Sequence, residues 1–152
     1  MASRAAEALA ITRKYAVYGA GAGLIPILPV EMAVTVGVQV KMIADLAKLY
    51  DVSFDEARTK VLVIGLIGGF TAFSHGVPGY VASRFRWLGP IGVLLKPVYA
   101  SVVAYAIGNV FITHFEMGGT LENFNPADPS VARAMREGIK AAPSAGAAPQ
   151  PA

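Results

Sequence analysis

Ser74 and His75 stand side by side, a hydroxyl next to an imidazole, and are the first pair in the chain to invite a chemical reading. Nucleophilic catalysis needs those two groups to converge with an orienting acid in a shaped pocket, and neighbours in sequence seldom reach that geometry. No Gly-x-Ser-x-Gly elbow is present. His75 lies close to Pro78 and Gly79 and reads as a loop or interface residue rather than a metal ligand. His114 and Glu116 are two apart, which on a helix puts them on different faces, so a metal site there is weaker still. Gly19-Ala20-Gly21-Ala22-Gly23 has part of a dinucleotide-binding pattern, but Leu24 takes the place of the third glycine. No alternating strand and helix pattern surrounds it, and no Gly-Lys-Ser/Thr follows. These residues lead us to expect no catalytic centre, cofactor or metal.

The spacings that remain belong to packing and to membranes. Small residues recur four apart at Gly19 and Gly23, at Gly65 and Gly69, and at Ala100, Ala104 and Gly108. In lipid such spacings let helix backbones approach closely, within one chain or between chains; an Ala/Gly-rich sequence also produces them by chance. Arg58, Lys60, Arg84, Arg86 and Lys96 flank the apolar stretches, where they can meet anionic head groups or serve only to set topology. Glu31, Gln39 and His75 are the polar groups available to line a path for an ion or solute. Glu31 can equally cap a helix or lie at an interface.

The elements that must hold these residues are helical. With 152 residues, 55% hydrophobic and 15% charged, the chain has more apolar side chain than a small soluble domain normally buries. It has no cysteine, which removes disulfides and thiolate metal sites. The net charge is +3, but the basic residues border apolar stretches instead of forming one patch, which argues against nucleic acid. A short Ala-rich helix is expected from Ser3, its cap, to about Lys14, with no cleaved signal sequence. Pro26 and Pro29 then interrupt the uncharged stretch Tyr15 to Val30. An amphipathic helix follows from Val30 to Tyr50, and Ser53 with Glu56 has the form of a capping box. Val61 to Ser83 and Ile91 to Phe115 are the two long uncharged runs, the second interrupted only at Lys96-Pro97. They read as a helical hairpin that enters the membrane, with Trp87, Tyr99 and Phe115 near the interfaces. Lys and Arg outside the hairpin tip outnumber those in it, so both termini are expected in the cytoplasm. Gly118-Gly119 supplies a helix stop, and Asp128-Pro129 opens a last short helix.

Three segments also carry a resemblance. Gly23 to Val30, Val38 to Val52 and Tyr105 to Leu121, in that order, resemble the bacterial YcjF-like, GTPase-associated membrane domain, a family of unknown function, over about Tyr15 to Pro126. The resemblance implies a membrane-associated helical module that occurs alone or attached to a Ras-like GTPase domain. The Tyr80 to Leu95 segment is longer, more aromatic and more basic than the family's connection. The reading is therefore an all-α, membrane-associated bundle over 1–126, a short soluble helix over 127–140 and a disordered tail over 141–152. Its expected role is non-enzymatic: a self-associating or partner-anchoring module of the bacterial inner membrane, or of an intracellular compartment derived from it. Membrane lipid, a second copy, a separate GTPase or another membrane protein are its expected partners. The alternative is a subunit of a small oligomeric pore or transporter. Replacing Gly65 and Gly69 with leucine is expected to weaken association in detergent or lipid, with oligomer size as the measurement.

Overall fold

The computed structural model describes residues 3–25, 28–73 and 90–143, with the side chains of 28, 70–73 and 90–96 outside that set. Five helices follow one another: α1 (Arg4–Ala22), α2 (Leu28–Leu49), α3 (Glu56–Phe73), α4 (Pro90–Glu116) and α5 (Pro129–Ala141). There is no strand among the described residues.

Local chemistry sets most of the boundaries. Ser3 accepts from the Ala6 amide at 3.2 Å and opens α1. Asp128 accepts from the Ser130 amide at 2.7 Å and, with Pro129 in the first turn, opens α5. α4 stops at a Schellman turn: the Gly119 amide donates to the His114 carbonyl at 2.9 Å and the Gly118 amide to Phe115 at 3.0 Å. Gly118 supplies the left-handed residue, at φ +80°. α2 ends in the same way, with the Val52 amide on the Ala47 carbonyl at 2.8 Å and Asp51 at φ 57° where a glycine is commoner.

α4 is the centre of the bundle. Val103, Ile107, Val110 and Phe111 bury against α1, α2 and α5, and the Phe111 ring stacks on Phe124 at 4.6 Å. α1 lies antiparallel to α4, with Gly19 against Ala100 and Ala104 and Thr12 against Gly108. α2 reaches α1 through the Lys14–Asp45 ion pair at 3.3 Å and the Tyr15 hydroxyl, which donates to Asp45 at 2.8 Å. α5, strongly amphipathic in sequence, buries Met135 and Gly138 on α4. The segment between α4 and α5 runs back along α3, where Arg58 donates to the Leu121 carbonyl at 2.9 Å and to Glu122 at 2.7 Å.

Several expectations change. Among the described residues one stretch, Pro97–Glu116, is long and apolar enough to cross a membrane, so the hairpin of two long apolar helices gives way to one candidate span. α3 fails because Glu56, Arg58 and Lys60 occupy its first turns, leaving only Val61 to Phe73 uncharged within it. The assignment of both termini to one side rested on two spans and has no footing with one. α1 does not end at Lys14 but continues to Ala22 through Gly19, which packs on α4, and Gly21, which is exposed. α4 runs through Pro97 without a break, since a single missing amide leaves the rest of a 27-residue helix intact. The cap of α3 is Asp55 and not Ser53: its carboxylate accepts from the Arg58 amide at 2.6 Å and its carbonyl from the Thr59 hydroxyl at 2.6 Å. The expected tail falls on 144–152, outside the described residues, apart from its first three positions.

Two outcomes follow. A Cβ on Gly138 would stand 2.8 Å from the Ala106 Cα, so Gly138→Ala must push α5 from α4. It is expected to cost about 1–3 kcal/mol, whereas Gly37→Ala, with nothing within 4 Å, should gain about 0.5–1 kcal/mol; thermal melts of the two variants check this. Burial first, then its hydrogen bond to Glu116, pushes the Tyr50 hydroxyl up to about 12. A raised tyrosine contributes fully below its ordinary value of about 10 and loses that contribution as pH rises toward 12. The melting temperature should therefore fall across that alkaline window, and fall less in Tyr50→Phe.

Candidate functional site

The residues singled out in the sequence separate into three places. Gly19, Ala100, Ala104 and Gly108 meet along the α1–α4 seam. A Cβ on Gly19 would lie 3.0 Å from the Ala104 Cβ and 3.2 Å from the Ala100 carbonyl, and one on Gly108 would overlap the Thr12 side chain. Gly23 caps α1, its amide donating to Gly19 at 3.1 Å. A Cβ on Gly65 would stand 3.2 Å from the Pro126 Cγ, so a leucine there disturbs the fold itself; a Cβ on Gly69 would meet nothing within 4 Å among the described residues, which makes it the cleaner probe of association.

The charged candidates divide as well. Arg58 is committed to two loop carbonyls, and Lys60 pairs with Glu56 at 2.7 Å. Arg84 and Arg86 lie outside the described residues, as does the side chain of Lys96. Of the polar-path residues, Gln39 is 1% exposed with no hydrogen-bond partner at Oε1. Glu31 sits half-exposed in the first turn of α2, and His75 is outside the described residues. Among the described residues no group of three His, Asp or Glu side chains could hold a metal ion.

What sequence reasoning missed is how the charges are arranged along the bundle. The Lys14–Asp45 pair, the Gly19–Ala104 and Thr12–Gly108 contacts and the α2–α3 groove fix the relative heights of the four long helices. One end consists of the C-terminal part of α1, the N-terminal half of α2, the C-terminal part of α3 and the N-terminal part of α4. Over residues 15–25, 28–40, 61–73 and 97–104 the only charged residue is Glu31. Among the described residues the same end holds ten of the twelve exposed large hydrophobic side chains: Val17, Tyr18 and Leu24; Val30, Met32 and Val34; Val61 and Ile64; Val98 and Tyr99. Lys14, Lys41 and Lys60 stand on three different helices near the boundary, and the opposite end carries the Ser3, Asp55 and Asp128 caps and the start of α5, whose end reaches Ala16 and Ala104 at the boundary. Each uncharged run is visible in the sequence, but their meeting at one end needs the antiparallel packing.

Among the described residues this end presents apolar surface bordered by ammonium groups, the kind of patch that marks an interaction site. The apolar stretch Pro97–Glu116 is 56% buried inside the bundle, as the core helix of a water-soluble protein also is, so the span alone decides little. No family model matches the chain, and the YcjF-like family is not shown. No solved structure matches it. The chain is 30% identical over 118 residues to Magnetosome membrane protein 22 of Magnetospirillum gryphiswaldense. That alignment covers 74% of this chain, and the chain spans 60% of the length of the relative.

Proposed function

We propose that the protein is a non-enzymatic helical module of a bacterial membrane, held in the bilayer by the uncharged end of its bundle and free to engage other components through its charged end. The observation that carries this is the concentration of exposed apolar side chains at the end where four helices lack charge. In water a contiguous apolar surface of this kind favours association, whereas lipid removes it from water at no cost in polar groups. Lysines at the boundary can keep their stems on the apolar surface and their ammonium groups among the head groups. By its likeness to a protein named for the magnetosome membrane, the proposed location is an intracellular membrane compartment derived from the inner membrane. Self-association through the open face beside Gly69, or anchoring of a separate GTPase or another membrane protein at the charged end, are the roles this placement permits.

Expressed in bacteria, the protein should stay in the membrane pellet through carbonate extraction and float with lipid vesicles. The double variant Val17→Glu/Leu24→Glu, at two exposed positions of the uncharged end, should shift toward the soluble fraction with its helical circular dichroism unchanged. Purification as a compact monomer in plain buffer, with no detergent or lipid, would overturn the reading.

A further inference from the structure

Between α2 and α3 lies an open groove of about 820 Å³ that the α1–α4 packing leaves uncovered. Its walls are apolar over most of their length, with Met32, Val36 and Val40 from α2 facing Ile64 from α3. Its charged groups, Lys41, Lys60 and Glu56, all lie at one end, because α2 and α3 run antiparallel and the polar start of α3 stands beside the later part of α2. Lys60 is paired with Glu56 at 2.7 Å, while Lys41 has no carboxylate partner among the described residues, so this end carries a net positive charge. From Lys41 back to Met32 the groove follows nine residues of helix, about 14 Å at 1.5 Å per residue.

Cationic at one end and apolar along its remaining length, the groove has the polarity of a lipid. Resting on the membrane reading above, we infer that it holds one acyl chain of an anionic phospholipid, with the head group at Lys41 and the chain running toward Met32 and Ile64. The groove's direction supports this occupant, because its apolar part lies at the uncharged end of the bundle and its lysines lie at the boundary where head groups would be. Water would find few partners along such walls. A second copy in the same bilayer orientation, related by a two-fold axis running along the groove, would bring two copies of the same basic edge together, like charge against like.

The test is native mass spectrometry of the full chain in detergent, titrated with phosphatidylglycerol and, separately, with phosphatidylcholine, with flotation on vesicles of each lipid run in parallel. One phosphatidylglycerol should be retained per chain in preference to phosphatidylcholine. Lys41→Gln should weaken that retention about fivefold, the factor for the roughly 1 kcal/mol that one lysine contributes beside an anionic surface. Ile64→Lys, at a position 57% exposed, should block the chain's path and lose both lipids. Both variants should still float, since Lys41 lies outside the uncharged end and Ile64 is one of its many exposed side chains, with Val17, Leu24 and the others unchanged. Equal retention of the two lipids, or retention that neither variant changes, overturns the groove while leaving membrane association standing. A change of oligomer size in the variants, in place of lipid loss, assigns the groove to a second copy and overturns it too. If the wild-type chain floats with neither vesicle, the membrane reading fails and the groove's lipid with it.

Discussion

Two helices approach to backbone contact only where both give up side-chain volume at the same height, and the seam between α1 and α4 does so twice. Gly19 faces Ala104 and the Ala100 carbonyl at one level, and Gly108 receives Thr12 at another. α4 is apolar on every side, and a helix of that kind must be covered all round in water or meet lipid where it is not. The seam covers one side of it, α5 closes another through Gly138, and α2 a third, which accounts for the complete burial of Ala106, Ile107 and Phe111. The order of the remaining parts follows, since α2 is held on α1 at Asp45 and α3 is tied by Arg58 to the segment that leaves α4.

Stability and proposed function occupy opposite ends of the same bundle. The charged end contains both Schellman turns, the Asp55 and Asp128 caps, the Arg58 contacts and the Tyr50–Glu116 hydrogen bond. At the uncharged end large side chains such as Val17, Leu24 and Ile64 are turned outward. A soluble domain commonly places polar groups on its surface, and the exposed apolar side chains at this end are the observation on which the proposed lipid environment rests.

Helix ends were largely legible in the sequence, because caps and stops are local. Ser3, Gly118-Gly119 and Asp128-Pro129 each act where their residue types require, and of the two expected breakers Pro29 lies in the first turn of α2 while Pro26 is outside the described residues. The competition between Ser53 and Asp55 for the cap of α3 was not decided by spacing, since both residue types cap well and only Asp55 meets the Arg58 amide. The persistence of α1 through Gly19 and Gly21 was hidden for another reason: each glycine costs a helix roughly 1 kcal/mol, and the gain from close approach depends on a partner some eighty residues away. Small residues four apart are visible, but not which of them meet each other, and Gly138, which stands four from Ala134 and four from Ala142, is not among the spacings singled out because it lies outside the long apolar stretches. The shared end could not be read from any one run, because it exists only once antiparallel helices bring distant uncharged stretches to the same height.

At the close of α4, the His114 ring rests against Gly119, and its Nε2 faces two oxygens, the Thr120 carbonyl at 2.9 Å and the Asn123 Oδ1 at 3.0 Å. The same Asn123 oxygen accepts from the Thr120 amide at 2.8 Å, which settles its orientation. Two acceptors meeting one ring nitrogen fix the tautomer: Nε2 carries the hydrogen and Nδ1 keeps its lone pair. With one ring nitrogen holding both oxygens, a single side chain near the last turn of α4 ties that helix to two points of the segment that leaves it, and so sets the direction in which the chain departs toward α3.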